Sequence, residues 1–253
     1  MNLDSTNRRI LILSDPHQEI EKMMRIIKAE AADEVVCLGD WFDSFFNTSK
    51  YHIEQTCAQL ARFVCTPNCH TLWGNHDLHY FYPSQFTMCT GYTKHNEIEI
   101  CNYLGVSKHT IADKFKWYIK VDDFLCTHAG IATHNLNQYL ATTSVDKQIE
   151  FEAVDANIKL KTEQSHWFYR AGKARGGKQQ RGGIVWLDFD NEFEPIQGLK
   201  QIVGHTYSKT IRPHRLDSSF NSNEWLNFCI DCNLNEYIII DNKVVQVKRY
   251  IDL

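Results

Sequence analysis

Five short polar clusters each follow an apolar run, and their side chains are types that bind metals or transfer protons. The clusters occupy 15–17 (DPH), 39–43 (GDWFD), 74–77 (GNHD), 127–130 (THAG) and 204–206 (GHT). A single histidine or aspartate after a strand is usually a cap or a solvated turn residue. Helix caps use Ser, Thr, Asn or Asp, so the recurring imidazoles need another explanation. The pattern indicates one site assembled from several loops.

The residue types in these clusters match a site for two metal ions. Carboxylate, imidazole and amide oxygen together suit borderline divalent ions such as Mn²⁺, Fe²⁺ or Zn²⁺, and a carboxylate can bridge two ions. No cysteine lies in any of the five clusters, which argues against a closed structural zinc site. Glycines directly precede Asp40, Asn75 and His205, where they would let the backbone turn sharply and bring the side chains inward.

The elements that must position these clusters alternate between strand and helix. Buried strands are predicted over 8–13, 33–38 and 68–73, with amphipathic helices over 18–31 and 48–64 between them. The order β-α-β-α-β indicates a parallel α/β core. Ligands gather at the carboxyl ends of the strands in such sheets, and the first three clusters lie there.

The rest of the chain predicts a second sheet and a less regular region. Two strands joined near 122–123 end at the fourth cluster, and a mostly helical stretch covers 141–160. Strand-like runs, expected to form mainly the second sheet, follow at 182–190, 199–207, 224–232 and 236–250. The weaker pattern over 78–115 predicts an insertion or helical cap that shapes the substrate pocket. No repeat or linker is evident, so we predict one domain over 1–253.

Composition excludes several classes of protein. The net charge is −4, which gives no global basis for binding nucleic acid. No apolar run is long enough to span a membrane, and the first residues lack the pattern of a signal peptide. The nine cysteines are scattered, which is typical of reduced, buried thiols. We therefore predict a cytoplasmic protein with no membrane partner; the oligomeric state stays open.

Taken together, the motifs D-x-H, G-D-x-x-D, G-N-H-D, H-A-G and G-H-T resemble those of the calcineurin-like metallophosphoesterase superfamily. The THAG cluster and the single histidine of GHT are most similar to the phosphoprotein-phosphatase branch. That branch includes small bacterial and phage serine/threonine phosphatases and symmetrical dinucleoside-tetraphosphatases. The resemblance implies a four-layer α/β/β/α sandwich of two mixed β-sheets.

The resemblance also implies a metal-binding role for each matching residue. Asp15 and His17 would hold the first metal, and Asp40 would bridge the two. The second metal would be held by residues from the later motifs: Asn75, His128 and His205. The two cations would be Mn²⁺, with Fe²⁺, Zn²⁺, Ni²⁺ or Co²⁺ as alternatives, because affinity order and availability decide which ion binds.

The same resemblance leaves His76 to act on the substrate. His76 would protonate the leaving oxygen, and the neighbouring Asp77 would orient it and favour its charged form. Asp43 is expected to support the surroundings of His17 or His76 rather than to bind a metal. His79 directly follows this turn and is a further candidate for the pocket lining.

Two departures from the family pattern bear on the substrate. Ser44 stands where the phosphoprotein phosphatases usually have an arginine that grips the phosphate. The basic loop at 170–183 carries cations that would replace it: Arg170, Arg175, Lys178 and Arg181. A solvated, flexible loop is the alternative. Many diesterases carry G-H-x-H, whereas Tyr207 stands at the second histidine here, which favours a monoesterase.

The predicted function is binuclear-metal-dependent hydrolysis of a phosphoester, most simply a phosphomonoester of a protein or small molecule. The alternatives are a dinucleoside polyphosphate pyrophosphohydrolase and a phosphodiesterase or nuclease. The expected partner is a phosphorylated protein, nucleotide or small molecule, and nucleic acid is not expected. A non-enzymatic scaffold of the same fold would lack several ligands, whereas this chain carries all of them.

Overall fold

In a computed structural model, residues 1–44, 49–136, 144–214 and 226–253 are described. They contain eleven β-strands in two sheets and seven α-helices, together with short 3₁₀ turns. The predicted helix over 141–160 is observed from Val145, and its first three positions lie outside the described residues. Within the described ranges no helix has the length and apolarity needed to cross a bilayer. The cytoplasmic location stays a prediction from the sequence.

The first sheet has five strands in the order β11-β10-β2-β3-β4. Its parallel strands are β2 (Arg9–Leu13), β3 (Glu34–Cys37) and β4 (Cys69–Thr71). Helices α1 (Ile20–Glu30) and α2 (Lys50–Cys65) connect them. The antiparallel strands are β10 (Glu236–Asp241) and β11 (Val244–Arg249). The β-α-β-α-β order predicted from periodicity is confirmed.

The second sheet has six strands in the order β1-β5-β6-β7-β9-β8 and is also mixed. Its strands are β1 (Asn2–Leu3), β5 (Tyr118–Val121), β6 (Phe124–Thr127), β7 (Lys200–Val203), β8 (Arg212–His214) and β9 (Asn227–Cys229). Strands β6, β7 and β9 run parallel, so their carboxyl ends lie at one edge of the sheet.

The two sheets pack face to face and carry helices on their outer faces. Alternate residues of β2 point to opposite faces, as the pleat requires. Ile12 belongs to the apolar layer between the sheets together with Ile202 of the second sheet. Leu11 instead packs in the cluster that contains Met23 of α1 and Leu60 of α2. The architecture is therefore the predicted α/β/β/α sandwich.

The region 78–115 is mostly helical. Its helices are α3 (Asn75–Phe81), α4 (Lys94–Leu104) and α5 (Ser107–Ala112). Two further helices follow in the chain, α6 (Thr133–Leu136) and α7 (Val145–Lys161), and Lys161 at the end of α7 pairs with Asp113 just after α5. Trp73 stacks on Phe115 with ring centroids 4.2 Å apart, which ties the start of this region to its end.

Two predictions about the second half of the chain are corrected. The run 182–190 contains turns and no strand. Its apolar residues Ile184, Val185 and Leu187 are buried all the same, because a short apolar run describes a buried turn as well as a strand. The hairpin β10–β11 was expected mainly in the second sheet, but β10 pairs with β2 in the first.

Candidate active site

All six predicted metal ligands lie together at one edge of the two sheets. Asp15 follows β2, Asp40 follows β3, His128 follows β6 and His205 follows β7, whereas Asn75 begins α3. The ligand atoms of the five aspartates and histidines form two groups, and within each group all atoms lie within 4.8 Å of one another. One group is Asp15, His17 and Asp40, and the other is Asp40, His128 and His205. Asp40 is common to both. We call the six residues the strand-end centre.

Main-chain carbonyls orient two of the imidazoles. His17 Nδ1 lies 2.9 Å from the Phe42 carbonyl oxygen, and His128 Nδ1 lies 2.9 Å from that of Leu38. Each contact leaves Nε2 on the inner side. His17 Nε2 is 3.7 Å from Asp40 Oδ2, and His128 Nε2 is 3.4 Å from the same atom. A hydrogen bond at one ring nitrogen that orients the other is the usual arrangement around a metal-binding histidine.

The Asn75 side chain joins this group through its amide. Its Oδ1 lies 3.0 Å from His128 Nε2. The glycine before it permits this approach, because a Cβ on Gly74 would lie 2.0 Å from Asp40 Oδ1. A Cβ on Gly204, in the last cluster, would lie 2.2 Å from Asp15 Oδ2. Glycine is needed at both positions for close packing against a carboxylate.

The backbone of the centre is held in an uncommon conformation. Positive φ angles occur at Asp15 (51°), His17 (39°), Asp40 (60°) and His205 (66°). Non-glycine residues seldom adopt this region, and each instance costs about 1–3 kcal/mol that the surrounding structure must offset. Four such residues in three of the five loops are typical of a functional site rather than of ordinary turns.

The buried charges of the centre suit a cation. Burial, with the charge of Asp40, raises the pKa of Asp15 to about 6. Burial opposes ionisation of Asp40 as well, but His128 and His76 hold its pKa well below the usual range. Burial, together with the charges of His128 and Arg175, lowers the pKa of His205 well below its ordinary value.

The donor set fits divalent metal ions. Because its pKa is lowered so far, His205 is neutral. Its buried Nε2 has no hydrogen-bond partner among the residues that the structure describes. It lies within 4.8 Å of ligand atoms on Asp40 and His128. A neutral imidazole without a partner, beside buried carboxylates and an amide oxygen, is the set that a borderline divalent cation satisfies.

His76 lies beside this centre and is paired with a carboxylate. Its Nδ1 is 2.8 Å from Asp43 Oδ2, and its ring meets that of His17 edge-on, with centroids 5.2 Å apart. Burial disfavours its charged form, but the charge of Asp40 and the hydrogen bond to Asp43 raise the pKa of His76 well above its ordinary value. The Tyr80 hydroxyl donates to the other oxygen of Asp43, which fixes that carboxylate.

The predicted orienting role of Asp77 is corrected. Its carboxylate accepts hydrogen bonds from the backbone N–H groups of Asp40 (2.8 Å), Trp41 (2.9 Å) and Gly74 (3.1 Å). It clamps the loop after β3 to the loop after β4, whereas Asp43 makes the orienting contact to His76. Adjacent residues at the start of a helix point in different directions, so sequence neighbours are not contact neighbours.

His79, a candidate for the pocket lining from its position after the turn, lies in the interior instead. Its side chain is fully buried, at 0 % exposure. Its Nε2 lies 2.8 Å from Asp43 Oδ2, and its Nδ1 lies 3.2 Å from Cys89 Sγ. Three residues along a helix bring side chains to the same face, which places His79 beside His76 in the interior.

The three arginines of the basic loop divide between two places. Arg175 Nη2 donates to Thr206 Oγ1 at 3.0 Å, and its Nε lies 2.8 Å from Asp188 Oδ2. This position is close enough to His205 to affect its pKa. Arg170 and Arg181 instead line a different cavity of about 650 Å³. The structure thus brings only Arg175 of these three near the strand-end centre.

The loop itself is held by a carboxylate. Glu192 accepts hydrogen bonds from the backbone N–H groups of Ala174 (3.0 Å) and Gly182 (2.7 Å). Arg181 donates to the Glu192 carbonyl oxygen and pairs with Glu194. The alternative of a freely solvated loop is therefore wrong for this part of the segment.

Sequence reasoning missed Asp231, which follows β9. It is buried and lines a cavity of about 360 Å³ that includes Asp15, His17 and Tyr207. Burial, with the charge of Asp15, raises the pKa of Asp231 to about 8. The signal was present, because Asp231 follows a strand as the other clusters do, but the flanking cysteines suggested only a buried strand.

Comparisons with known proteins agree with this geometry. Residues 8–209 match the calcineurin-like phosphoesterase family. A cold-active protein-tyrosine phosphatase of a psychrophilic Shewanella species is similar in fold, with a TM-score of 0.60 and 15% identity, covering 98% of this chain and 80% of that one. A protein serine/threonine phosphatase from Saccharomyces cerevisiae has a TM-score of 0.51 and 10% identity, covering 98% and 83%. No curated protein matches in sequence.

The family match extends over more than half of the chain and includes all five clusters. The six residues of the strand-end centre, from Asp15 to His205, all fall inside the matched range. The chain therefore belongs to the calcineurin-like phosphoesterase family and is a metal-dependent phosphoester hydrolase.

Proposed function

We propose that the protein is a phosphomonoesterase that uses two Mn²⁺ ions at the strand-end centre. Asp15 and His17 would hold one ion, Asn75, His128 and His205 the other, and Asp40 both. The observation that carries this proposal is the position of Asp40, whose ligand oxygen belongs to both groups of donors. When bound, two such ions supply Lewis acidity and lower the pKa of water so that hydroxide forms near neutral pH.

His76 is the proposed general acid. Its Nδ1 is engaged by Asp43, which assigns the transferable proton to Nε2. Asp43 keeps the ring in one orientation, and its charge favours the imidazolium that must exist before the leaving oxygen is protonated. Asp77 contributes indirectly, because it holds the loops that carry Asp40 and Asn75.

Arg175 is the proposed source of positive charge near the substrate phosphate. Ser44, at the position where the related phosphatases have arginine, is buried and lines the same cavity as Asp15 and His17. Arg175 enters from the basic loop and is bound to Thr206, the residue after His205. Its guanidinium would stabilise the anionic substrate electrostatically across the centre.

A monoester is favoured over a diester by the residue after Thr206. Tyr207 lines the cavity beside Asp15 and His17, and its side chain cannot serve as the second imidazole that many diesterases carry. Pyrophosphohydrolysis of a dinucleoside polyphosphate is the alternative that a direct comparison of substrates tests.

The test uses metal-stripped protein resupplied with Mn²⁺. p-Nitrophenyl phosphate, its bis-ester and diadenosine tetraphosphate are offered side by side, and we expect the monoester to be hydrolysed fastest. Faster turnover of the tetraphosphate or of the bis-ester would replace the proposal by the corresponding alternative. No turnover with any metal would contradict an enzymatic function.

The role of His76 has its own test. His76→Asn is expected to lower kcat about 10²–10⁴-fold on an alkyl phosphate, since general acid catalysis contributes that much. The loss should be much smaller on p-nitrophenyl phosphate, whose leaving group needs little protonation. His109→Asn, at an exposed position, is the matched control. An equal loss on both substrates would contradict the role.

A further inference from the structure

A second group of metal-ligating side chains includes His76 and lies beside the strand-end centre, with Cys89 Sγ 3.8 Å from the Asn75 amide nitrogen. His76, His79 and Cys89 each offer one ligand atom, and these atoms lie within 4.8 Å of one another. Cys89 Sγ is 3.2 Å from His79 Nδ1 and 4.0 Å from His76 Nδ1. None of the three belongs to the six residues of the strand-end centre. We call these three residues the α3 cluster.

The donor atoms of the α3 cluster differ in chemistry from those of the strand-end centre. The thiolate is the difference, because thiolate ligands favour Zn²⁺ over Mn²⁺, whereas the strand-end centre offers carboxylate and amide oxygens beside its imidazoles. Asp43 Oδ2 lies 2.8 Å from His76 Nδ1 and also 2.8 Å from His79 Nε2. A carboxylate oxygen is therefore at hand for a fourth ligand, which completes the number that zinc usually takes.

The surroundings hold the cluster in place and leave it an entrance. His79 is fully buried, and the rings of Tyr80 and Tyr92 pack against it with centroids 4.2 and 5.5 Å away. His76 and Cys89 are each partly exposed. An ion can thus arrive past two of the ligands and find the third already positioned.

We propose that the α3 cluster is an inhibitory Zn²⁺ site, in which zinc binds Cys89 Sγ and the Nδ1 atoms of His76 and His79. Binding forms bonds from zinc to one sulfur and two nitrogens, and it releases to solvent the thiol proton of Cys89 and the Nδ1 protons that the rings carry. No electron transfer is involved. The hydrogen bond between His76 and Asp43 breaks, because zinc takes the nitrogen that made it.

Inhibition follows from the change at His76. With zinc on Nδ1, the ring keeps one N–H at Nε2, and that N–H is a far weaker acid than an imidazolium. The leaving oxygen then loses its proton donor. This consequence rests on the proposed function of His76, whereas the binding of zinc to the α3 cluster does not depend on it.

The test compares the Mn²⁺-loaded full chain with Cys89→Ser and with Cys65→Ser, whose cysteine is exposed on α2. Each protein is measured against its own zinc-free rate on an alkyl phosphate. We expect Cys89→Ser to need about tenfold more Zn²⁺ or higher for half-inhibition, as loss of a ligand costs at least what loss of an outer partner does. Cys65→Ser should behave as the wild type.

A spectroscopic measurement separates binding from activity. Cd²⁺ added to Mn²⁺-loaded protein should produce a thiolate-to-metal charge-transfer band in the ultraviolet in the wild type and in Cys65→Ser, but not in Cys89→Ser. Equal zinc inhibition in all three proteins without a Cys89-dependent band would overturn the proposal and indicate displacement of Mn²⁺ from the strand-end centre. A Cys89-dependent band without catalysis would retain the metal site and reject the proposed function.

Discussion

The strand-end centre and the α3 cluster are neighbours, yet different parts of the fold build them. The strand-end centre collects side chains from loops after β2, β3, β6 and β7, with Asn75 from the start of α3. The α3 cluster is built from one turn of α3 and from Cys89 in the segment that follows it. The former offers oxygen and imidazole, and the latter thiol and imidazole. One helix thus contributes to two groups of different donor chemistry, with Asn75 in the first and the adjacent His76 in the second.

Removing the shared carboxylate should separate the two sites most strongly. Asp40→Asn is expected to lower kcat/KM about 10³-fold or more, since metal ions supply several kcal/mol of transition-state stabilisation. The Mn²⁺ content, measured after gel filtration, should fall with it. Asp113→Asn, at an exposed position, is the matched control.

The Asp40→Asn variant also shows whether the two groups of residues bind metal independently, by the Cd²⁺ charge-transfer band of the α3 cluster. Because Asp40 is no ligand there, the band should persist in Asp40→Asn while Mn²⁺ is lost. Loss of both together in a protein with an unchanged circular dichroism spectrum would mean that the two groups of residues act as one site.

The basic loop extends the comparison to the substrate. Arg175→Gln should raise KM about tenfold, because a charge-assisted contact to phosphate contributes about 1.5 kcal/mol or more. Arg181→Gln is the matched control from the same loop, since its side chain pairs with Glu194 and lines the other cavity. Steady-state kinetics on p-nitrophenyl phosphate measures both. An unchanged KM in Arg175→Gln would reject a role in phosphate binding.

The smallest expected effect concerns the stability of the α3 cluster. Burial opposes the charge on His79, but the adjacent Asp43 carboxylate and Cys89 thiol raise its pKa to about 9. A raised pKa stabilises the folded state fully below the unfolded value of about 6.5, and the contribution is lost as pH rises through about 9. In the metal-free protein, the free energy of unfolding of the wild type minus that of His79→Asn should therefore fall by on the order of 1 kcal/mol between about pH 6.5 and about pH 9.

Urea unfolding with a chelator present, at pH 6.5 and at pH 9, measures that difference. His52→Asn on α2, where the ring contacts Ser49 near the surface, is the matched control and should leave the pH dependence as in the wild type. If the free energy of unfolding of the wild type minus that of His79→Asn rises with pH instead, His79 is not charged in the folded protein.

Several features of this protein follow from the sequence alone. The apolar pattern was sufficient for the order of β2, α1, β3, α2 and β4. A helix buries one face at a characteristic spacing, whereas a parallel strand covered on both faces is a short continuous apolar run. The convergence of the polar clusters was predictable because parallel strands end at one edge of a sheet. The order of clusters along the chain contained that information. The metal-binding role of each residue, in contrast, was implied by the resemblance to the family and stays a proposal.

Other contacts were decided only by the tertiary structure, because their residues lie on helices or loops and the order of the strands does not bring them together. Asp43 and Asp77 both carry a carboxylate that could pair with His76. In the folded protein the pair is made by Asp43, which is the more distant of the two in sequence, because Asp77 points toward the backbone of Asp40. Cys89 reaches His79 because the segment after α3 folds back over it, and no periodicity describes such a segment.

The remaining differences have the same origin. The hairpin β10–β11 joins the first sheet because the edge of β2 is available for pairing with β10. The residue pattern of a strand does not determine which other strand it pairs with. Arg175, and not Arg170 or Arg181, approaches the centre because Glu192 sets the course of the loop. Local sequence determines which residues are buried or turn, whereas packing between distant segments decides which of the polar residues meet.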